Sequence, residues 1–248
     1  MAENNITSTK AHNYQARKNV SSNVSTPGLL AKWPVIGLIM FLFGSLSFGA
    51  LTYNLLNQGP LLPLDRMLAA TLPAMALKGP AYLKSVLDSG FYIGNQVVVG
   101  LGVLLGLYFI YKRFWKELAM VAIGLTGAST LFLLLSHYFG RVRPLTQIWI
   151  IENIPGFPSG HAVTAVAFYG LLAYLLVPKM RSTFWKVVVA AAAVLLIVFI
   201  GCTRVITAGH YLTDVLAGYA VGISWAGMAY TLIEIIFQKR RGPIVKKE

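Results

Sequence analysis

Four side chains in the second half of the chain have the chemical types that handle phosphate. Arg143 and Arg204 each carry a planar guanidinium group, which binds phosphate oxygens through paired hydrogen bonds and stays charged at any working pH. His161 and His210 carry imidazoles, which near neutral pH can transfer protons or attack phosphorus. These residue types predict a site for phosphoryl chemistry, provided that the fold brings them together.

Neighbouring residues would prepare the two imidazoles for different tasks. Asp214 follows His210 by four residues, so its carboxylate lies on the same helical face or reaches back to the ring, where it fixes the tautomer and supports positive charge. Ser159 is a good N-cap and Gly160 permits close backbone approach, so the amides that open a helix at His161 offer an anion site. We therefore expect His210 to attack phosphorus and His161 to give a proton to the departing oxygen.

Membrane-spanning helices must hold these residues in place. The 248 residues are 56% hydrophobic and 12% charged, about half the charged fraction of an ordinary soluble domain. Six apolar runs are long enough to cross a hydrocarbon core of about 30 Å as helices. These runs are 34–56, 92–111, 118–139, 161–177, 187–207 and 214–237. We predict an all-α polytopic membrane protein with six transmembrane helices, and short interfacial helices in the proline-interrupted stretch 57–91.

The basic residues predict the orientation of the spans. Lys and Arg number 21 against 8 Asp and Glu, a net charge of +13 that in a soluble domain would suggest a nucleic-acid partner. Most of them lie instead on one side of the predicted spans: Lys10, Arg17, Lys18, Lys32, Lys112, Arg113, Lys116, Lys179, Arg181, Lys186, Lys239, Arg240, Arg241, Lys246 and Lys247. The positive-inside rule makes that side cytoplasmic, with both termini. The connections 140–160 and 208–213 then share the outer face, and no nucleic-acid partner is expected.

The chain divides into one membrane domain and two polar tails. Residues 1–31 are rich in Asn, Ser and Thr, so we expect a disordered cytoplasmic tail. Residues 32–238 form the six-helix membrane domain, and residues 239–248 form a basic cytoplasmic tail. Because Cys202 is the single cysteine and the four histidines include no His-x-x-x-His pair, we expect neither a disulfide framework nor a metal site of the protein's own.

Three blocks of sequence carry a specific resemblance to a known family. They are Arg143-Pro144, Pro158-Ser159-Gly160-His161, and Arg204 followed after five residues by His210 and after three more by Asp214. In order and internal spacing they resemble the three-part signature of the type 2 phosphatidic acid phosphatase family, the membrane branch of a superfamily shared with vanadium haloperoxidases. The blocks lie within residues 136–214, and the six-helix plan extends the resemblance over residues 34–237.

The resemblance implies a role for each matching residue. His210 would be the nucleophile that forms a phosphohistidine, and Asp214 would be its orienting partner. His161 would be the general acid for the leaving group and then the base for water. The residues that would hold the phosphoryl oxygens are Arg143, Ser159, Gly160 and Arg204. No metal or other cofactor is implied.

Two positions depart from the family pattern. The family's first block opens with Lys seven residues before Arg143, where this chain has Ser136, and its third block usually opens with Ser, where this chain has Thr203. Thr keeps a hydroxyl, whereas the missing Lys removes a charge-assisted contact worth about 1.5–3 kcal/mol unless Arg141 or His137 replaces it. An interfacial anchor is the alternative role for Arg141, and a hydrogen-bonded packing residue is the alternative for His137.

The expected function is hydrolysis of a lipid mono- or diphosphate at the outer face of the cell's cytoplasmic (inner) membrane. Undecaprenyl diphosphate, phosphatidic acid, phosphatidylglycerophosphate and a lipid A phosphate all suit the sequence, and membrane lipids are the other expected partners. Two alternatives stay open. One is a phosphotransferase that passes the phosphoryl group from His210 to a lipid or sugar acceptor. The other, motivated by Ser136, is a catalytically impaired lipid-phosphate binder or transporter.

Overall fold

Eight α-helices make up most of the residues that the structure describes, which are 33–144 and 154–239 of a computed structural model. They are α1 (Trp33–Leu56), α2 (Leu61–Leu77), α3 (Ala81–Gly94), α4 (Gln96–Lys112), α5 (Trp115–Phe139), α6 (Gly160–Leu176), α7 (Thr183–Ile206) and α8 (Leu212–Lys239). A 3₁₀ turn, Val177–Lys179, follows α6, and these two ranges contain no strand. The predicted tails, 1–31 and 239–248, lie outside the described residues except for Lys239.

Six stretches of helix are long and apolar enough to cross a membrane. They are Val35–Leu56, Ala81–Lys112, Trp115–Phe139, Gly160–Lys179, Thr183–Ile206 and Leu212–Phe237. Large apolar side chains such as Leu46, Leu104 and Leu195 are exposed on them, as surfaces that face lipid require. The prediction of an all-α multi-pass membrane protein with six apolar spans is confirmed.

The second span starts earlier than predicted. Helices α3 and α4 follow one another with a single break at Asn95, whose φ of −132° and ψ of −77° are not helical. The predicted start at residue 92 is therefore corrected to Ala81, and only α2 fills the interfacial stretch between the first two spans. Lys84 and Asp88 interrupt the apolar pattern on α3, which is why the sequence placed the start too late.

Helix α6 lies at the centre of the bundle, packed against α5, α7 and α8. Its buried residues include Gly160, Ala162, Ala165 and Ala167, and small residues of this kind allow neighbouring backbones to approach closely. The closest approach is to α8, where a Cβ atom added at Gly218 would lie 2.6 Å from the Ser159 carbonyl oxygen, and one at Gly222 would lie 2.7 Å from the Val166 Cβ. This glycine pair therefore packs within the bundle and brings the start of α6 against the first turns of α8.

The ends of two other helices complete the surroundings of that contact. Helix α5 stops at Gly140, which adopts a left-handed conformation (φ 58°) and directs the chain into Arg141. Helix α2 packs against α7 and α8 with four buried residues, Asp65, Ala69, Pro73 and Ala76. Asp65 is the acidic member of this otherwise apolar face, and it lies against the start of α8.

Candidate active site

The residues predicted from the three blocks come together at one end of the bundle. Those with polar or charged side chains are all buried, with no more than 8% exposed: Arg143, Ser159, His161, Arg204, His210 and Asp214. They come from the segment after α5, the start of α6, the last turn of α7, the α7–α8 connection and the first turn of α8. The helix ends bring together residues that are up to 71 positions apart in the chain.

Two neighbours of His210 define its protonation state. Its Nδ1 lies 2.8 Å from the Gly156 carbonyl oxygen, which can only accept, so Nδ1 carries the proton. Its Nε2 lies 2.9 Å from Nη1 of Arg143, which can only donate, so Nε2 offers its lone pair. Burial, together with the charges of Arg143 and Arg204, lowers the pKa of His210 well below its ordinary value. His210 is thus a neutral imidazole at neutral pH with Nε2 as its nucleophilic atom.

Asp214 stands in the first turn of α8, where its carboxylate reaches back toward His210. Its Oδ2 accepts the Tyr211 backbone N–H at 2.9 Å and lies 3.7 Å from Nδ1 of His210, an ion-pair distance longer than a hydrogen bond. Its Oδ1 accepts Nη1 of Arg141 at 2.5 Å. The hydrogen bond that fixes the His210 tautomer therefore goes to Gly156, and Asp214 contributes negative charge beside the ring.

The ring of His161 lies near the ring of His210. The ring centroids are 6.4 Å apart, and Phe91 packs against His161 with a centroid distance of 4.9 Å. Nε2 of His161 and the Ser159 hydroxyl are buried and find no hydrogen-bond partner among the described residues. Ser159 occupies the N-cap position of α6 as predicted, but its hydroxyl does not cap the helix. Two buried polar atoms are left available for a ligand.

Neighbouring groups hold both of the predicted phosphate-binding arginines. Arg143 donates Nε to the Ile154 carbonyl at 2.7 Å and Nη1 to the Gly209 carbonyl at 2.6 Å. The Arg204 guanidinium lies 5.1 Å from the Phe91 ring centre and packs on Gly209, where an added Cβ would be 2.3 Å from Nη2. Held guanidinium groups can stabilise an oxyanion without rearrangement.

A cavity of about 180 Å³ opens next to His161 and Arg143. Its other lining residues come from the α3–α4 break, α5, α6 and the segment before α6: Gly94, Asn95, Ser129, Phe132, Leu133, Ile154, Gly160 and Thr164. The space that Gly160 leaves is filled by the Phe132 ring, 2.7 Å from where a Cβ would lie. The sequence argument gave Gly160 close approach to an anion, and the structure shows close approach to this aromatic ring.

A family model described as the PAP2 superfamily matches residues 115–237, which contain all three blocks. The crystal structure of a transmembrane PAP2-type phosphatidylglycerolphosphate phosphatase from Bacillus subtilis matches with a TM-score of 0.65 at 25% sequence identity, over 82% of this chain and 96% of that one. The chain belongs to the PAP2 superfamily. The resemblance stated from the three blocks is confirmed, and the structural match extends the PAP2 likeness well beyond the segment that carries them.

Two curated relatives of this PAP2 chain are similar in sequence. Phosphatidylglycerophosphatase B of Bacillus subtilis (strain 168) is 33% identical over 137 residues, 54% of this chain and 64% of that protein. A lipid A 1-phosphatase of Rhizobium etli is 38% identical over 123 residues, 46% of this chain and 47% of that protein. The chain thus spans less than two thirds of the length of either relative.

The structure also locates the residues at which the chain departs from the PAP2 pattern. Ser136 is fully buried and donates its hydroxyl to the Leu133 carbonyl, while His137 is exposed with Nδ1 2.8 Å from the same oxygen. Thr203 donates its hydroxyl to the Ile200 carbonyl at 2.7 Å. Neither proposed substitute for the family Lys, Arg141 or His137, is among the residues that line the cavity.

Arg141 makes contacts that neither of its two expected roles includes. It binds two carboxylates, Asp214 at 2.5 Å and Asp65 at 2.8 Å, and its guanidinium stacks 4.3 Å from the Tyr211 ring centre. It is a mostly buried ion-pair residue that does not line the cavity, and a phosphate contact of Arg141 stays a prediction. Sequence reasoning missed Asp65 and the Gly156 carbonyl. The signal for Asp65 was a lone acid in an apolar stretch, whereas a backbone carbonyl leaves none.

Residues 33–144 and 154–239 contain no cluster of three or more His, Cys, Asp or Glu side chains that could hold a metal ion. The groups that the described site presents are imidazole, guanidinium, hydroxyl and carboxylate. That the protein uses no cofactor stays a prediction.

Proposed function

We propose that the protein is an integral membrane lipid phosphate phosphatase that works through a phosphohistidine at His210. The observation that carries this proposal is the state of His210, a neutral ring whose Nε2 lone pair points at a guanidinium group and faces a second imidazole. The names of the two curated relatives, both phosphatases of lipids, support the same class of reaction.

The reaction divides into two displacements at phosphorus. In the first, Nε2 of His210 forms a bond to phosphorus while the bond to the lipid oxygen breaks, and His161 gives that oxygen a proton. In the second, His161 takes a proton from water, whose oxygen attacks phosphorus and breaks the N–P bond. The products are the dephosphorylated lipid and inorganic phosphate, and both histidines return to their starting states.

The other site residues stabilise charge during both steps. Arg143 and Arg204 hold the equatorial phosphoryl oxygens, and the Ser159 hydroxyl with the Gly160 amide opens an anion site at the start of α6. Asp214 supports the positive charge that the His210 ring acquires as Nε2 attacks, since its carboxylate lies 3.7 Å from Nδ1. These roles are part of the proposal, and the burial of the residues side by side supports them.

The cavity favours a substrate that has an apolar part. Its lining joins Arg143 and His161 to Phe132, Leu133 and Ile154, so a phosphate can reach the charged end while a hydrocarbon chain stays on the apolar side. Phosphatidylglycerophosphate, phosphatidic acid, a lipid A phosphate and undecaprenyl diphosphate all have this division. We further propose that the site is on the outer face of the cytoplasmic membrane, and that the tails at 1–31 and 239–248 are cytoplasmic.

One observation favours a second candidate, a lipid-phosphate binder with impaired turnover. Ser136 replaces the family Lys, and its hydroxyl is bound inside α5. A protein of this kind would bind lipid phosphates and release no inorganic phosphate. A variant Ser136→Lys that created turnover would establish this second candidate.

The test is phosphate release by the purified protein in detergent across a panel of these four lipid phosphates and a soluble phosphate ester. The variant His210→Ala should release no phosphate above background while it keeps the elution profile and melting temperature of the wild type. Treatment with EDTA should leave turnover unchanged. Turnover retained by His210→Ala contradicts the histidine mechanism, and cleavage of the soluble ester alone contradicts the lipid substrate.

A further inference from the structure

Asp65 is a buried acid outside the catalytic blocks that binds the start of α8. It is 1% exposed and comes from α2, which lies outside the matched family segment 115–237 in the sequence. Its Oδ1 accepts the Thr213 backbone N–H at 3.0 Å, and its Oδ2 accepts the Thr213 hydroxyl at 2.5 Å. Oδ2 also accepts Nη2 of Arg141 at 2.8 Å. An acid with three charge-assisted bonds is a rigid part of the structure.

The first of these bonds caps α8 from another helix. Helix α8 begins at Leu212, so the N–H of Thr213 is one of the amides that a helix leaves without an internal partner. A carboxylate at this end also interacts favourably with the helix dipole. Because Asp214 is the next residue, Asp65 fixes the turn that carries the carboxylate of the active site.

The second connection runs through Arg141. Nη2 of this guanidinium binds Asp65, while Nη1 binds Asp214 at 2.5 Å and the Thr213 hydroxyl at 2.7 Å. The Tyr211 ring supports the guanidinium from one face. Asp65 thus determines where Arg141 stands, and Arg141 determines where Asp214 stands relative to His210.

The charges give this arrangement a chemical effect. One guanidinium is shared by two carboxylates, so the group of Asp65, Arg141 and Asp214 carries one net negative charge. Without Asp65, Arg141 would pair with Asp214 alone, and less of the negative charge of Asp214 would support His210 when its ring becomes cationic.

We propose that Asp65 is a positioning residue for the phosphoryl-transfer site. Asp65 caps α8 and shares Arg141 with Asp214, and these contacts hold Asp214 beside His210. This inference rests on the proposed function for the chemistry that it serves. The position of Asp65 in the α2 segment ties the helix between the first two spans to the reacting histidine.

The test compares Asp65→Asn with the wild type and with Asp88→Asn, a matched control on α3. Asparagine keeps the shape and can still accept the Thr213 N–H, and Arg141 keeps Asp214 as its partner, so the variant leaves no buried charge unpaired. We expect kcat for phosphate release to fall about 10- to 100-fold, with KM within about threefold, because a small displacement of a reacting group costs this much. Asp88→Asn should behave as the wild type.

A binding measurement makes the test independent of turnover. Orthovanadate mimics the transferring phosphoryl group, whereas inorganic phosphate mimics the ground state. We expect Asp65→Asn to weaken vanadate binding about tenfold and phosphate binding less than threefold, the pattern of a lost transition-state interaction. A merely structural role would weaken both ligands equally or lower the melting temperature without this split.

Each outcome decides something. Unchanged kcat in Asp65→Asn, or equal loss of vanadate and phosphate, overturns the positioning role while the proposed function stands. A wild type without turnover overturns the proposed function. The comparison of vanadate binding with phosphate binding in Asp65→Asn then still tests the positioning role of Asp65. A wild type that binds neither anion overturns both. If Asp65→Asn is not recovered folded, Asp65→Glu replaces it: its extra methylene should lower kcat at least threefold, and wild-type kcat would overturn the role.

Discussion

Helix α8 carries a buried acid near each end, and the two ends differ in how their polar groups are satisfied. Glu234, near the last turn, is 4% exposed and binds Lys116 at 2.6 Å and the Tyr174 hydroxyl. Asp214, in the first turn, is fully buried and binds Arg141 and the Tyr211 N–H. Both acids are paired, so a buried charge in a span does not by itself distinguish a reaction site from a structural contact.

The neighbours of the two acids do make the distinction. Beside Asp214, Nε2 of His161 and the Ser159 hydroxyl are buried without a hydrogen-bond partner in the part of the chain that the structure describes, and His161 borders a cavity. The carboxylate of Glu234 is bound by the Lys116 ammonium group and the Tyr174 hydroxyl, and neither of these residues lines that cavity. Unsatisfied polar atoms beside open space indicate a ligand, because folding alone would not retain them.

After the loss of the nucleophile in His210→Ala, the largest expected effect is at His161. Replacing it with Asn removes the group that gives the leaving oxygen its proton, and kcat for phosphate release should fall about 10²- to 10⁴-fold. His137→Asn is the control, since that ring is exposed and its Nδ1 lies 2.8 Å from the Leu133 carbonyl in its own helix. Steady-state kinetics on the best lipid of the panel measure both. A His161→Asn variant within tenfold of the wild type would remove the general acid from the mechanism.

A smaller effect is expected at Ser159. Ser159→Ala should lower kcat/KM about 3- to 10-fold, the value of one neutral hydrogen bond to the phosphoryl group. Its melting temperature should not fall, because the lost hydroxyl has no partner in the described structure.

Ser45→Ala is the matched control for that variant. The Ser45 hydroxyl lies 2.9 Å from that of Ser224, between α1 and α8. Its loss should lower stability by about 0.5–1.5 kcal/mol and leave the rate unchanged. If Ser159→Ala instead lost stability and kept its rate, the hydroxyl would belong to the fold and not to the phosphate site.

The sequence was sufficient to predict which blocks meet. Once six spans are counted, the three blocks fall at helix ends on the same side of the bundle. The length of each span as a helix then places Arg143, the start of α6 and the α7–α8 connection near one another. The family pattern in turn assigned a role to each residue. The prediction was therefore strongest where chemistry is carried by side-chain type at a fixed local spacing.

What the sequence could not give depends on contacts between distant parts of the chain. Asp65 is 148 residues from Thr213, and no periodicity links them. The carbonyl of Gly156, which fixes the His210 tautomer, has no side chain to recognise. Arg141 lies two residues from Arg143, and this proximity in sequence suggested that both bind phosphate. In the structure Arg141 instead binds the carboxylates of Asp65 and Asp214.

The smallest expected effect on catalysis is at Glu234, and it tests whether the two ends of α8 are independent. Glu234 and Asp214 are 20 residues apart, roughly 30 Å along the helix. Glu234→Gln should cost about 1–3 kcal/mol of stability, because it weakens an ion pair and a hydrogen bond to a charged acceptor. In a chain of this length that lowers the melting temperature by about 2–4 °C per kcal/mol. Its kcat/KM should stay within about twofold of the wild type, since the partners of Glu234 are Lys116 and Tyr174 and neither belongs to the site. A tenfold loss of kcat/KM in a folded Glu234→Gln variant would show that the contacts of Glu234 with Lys116 and Tyr174 at one end of α8 affect the reaction at the other end.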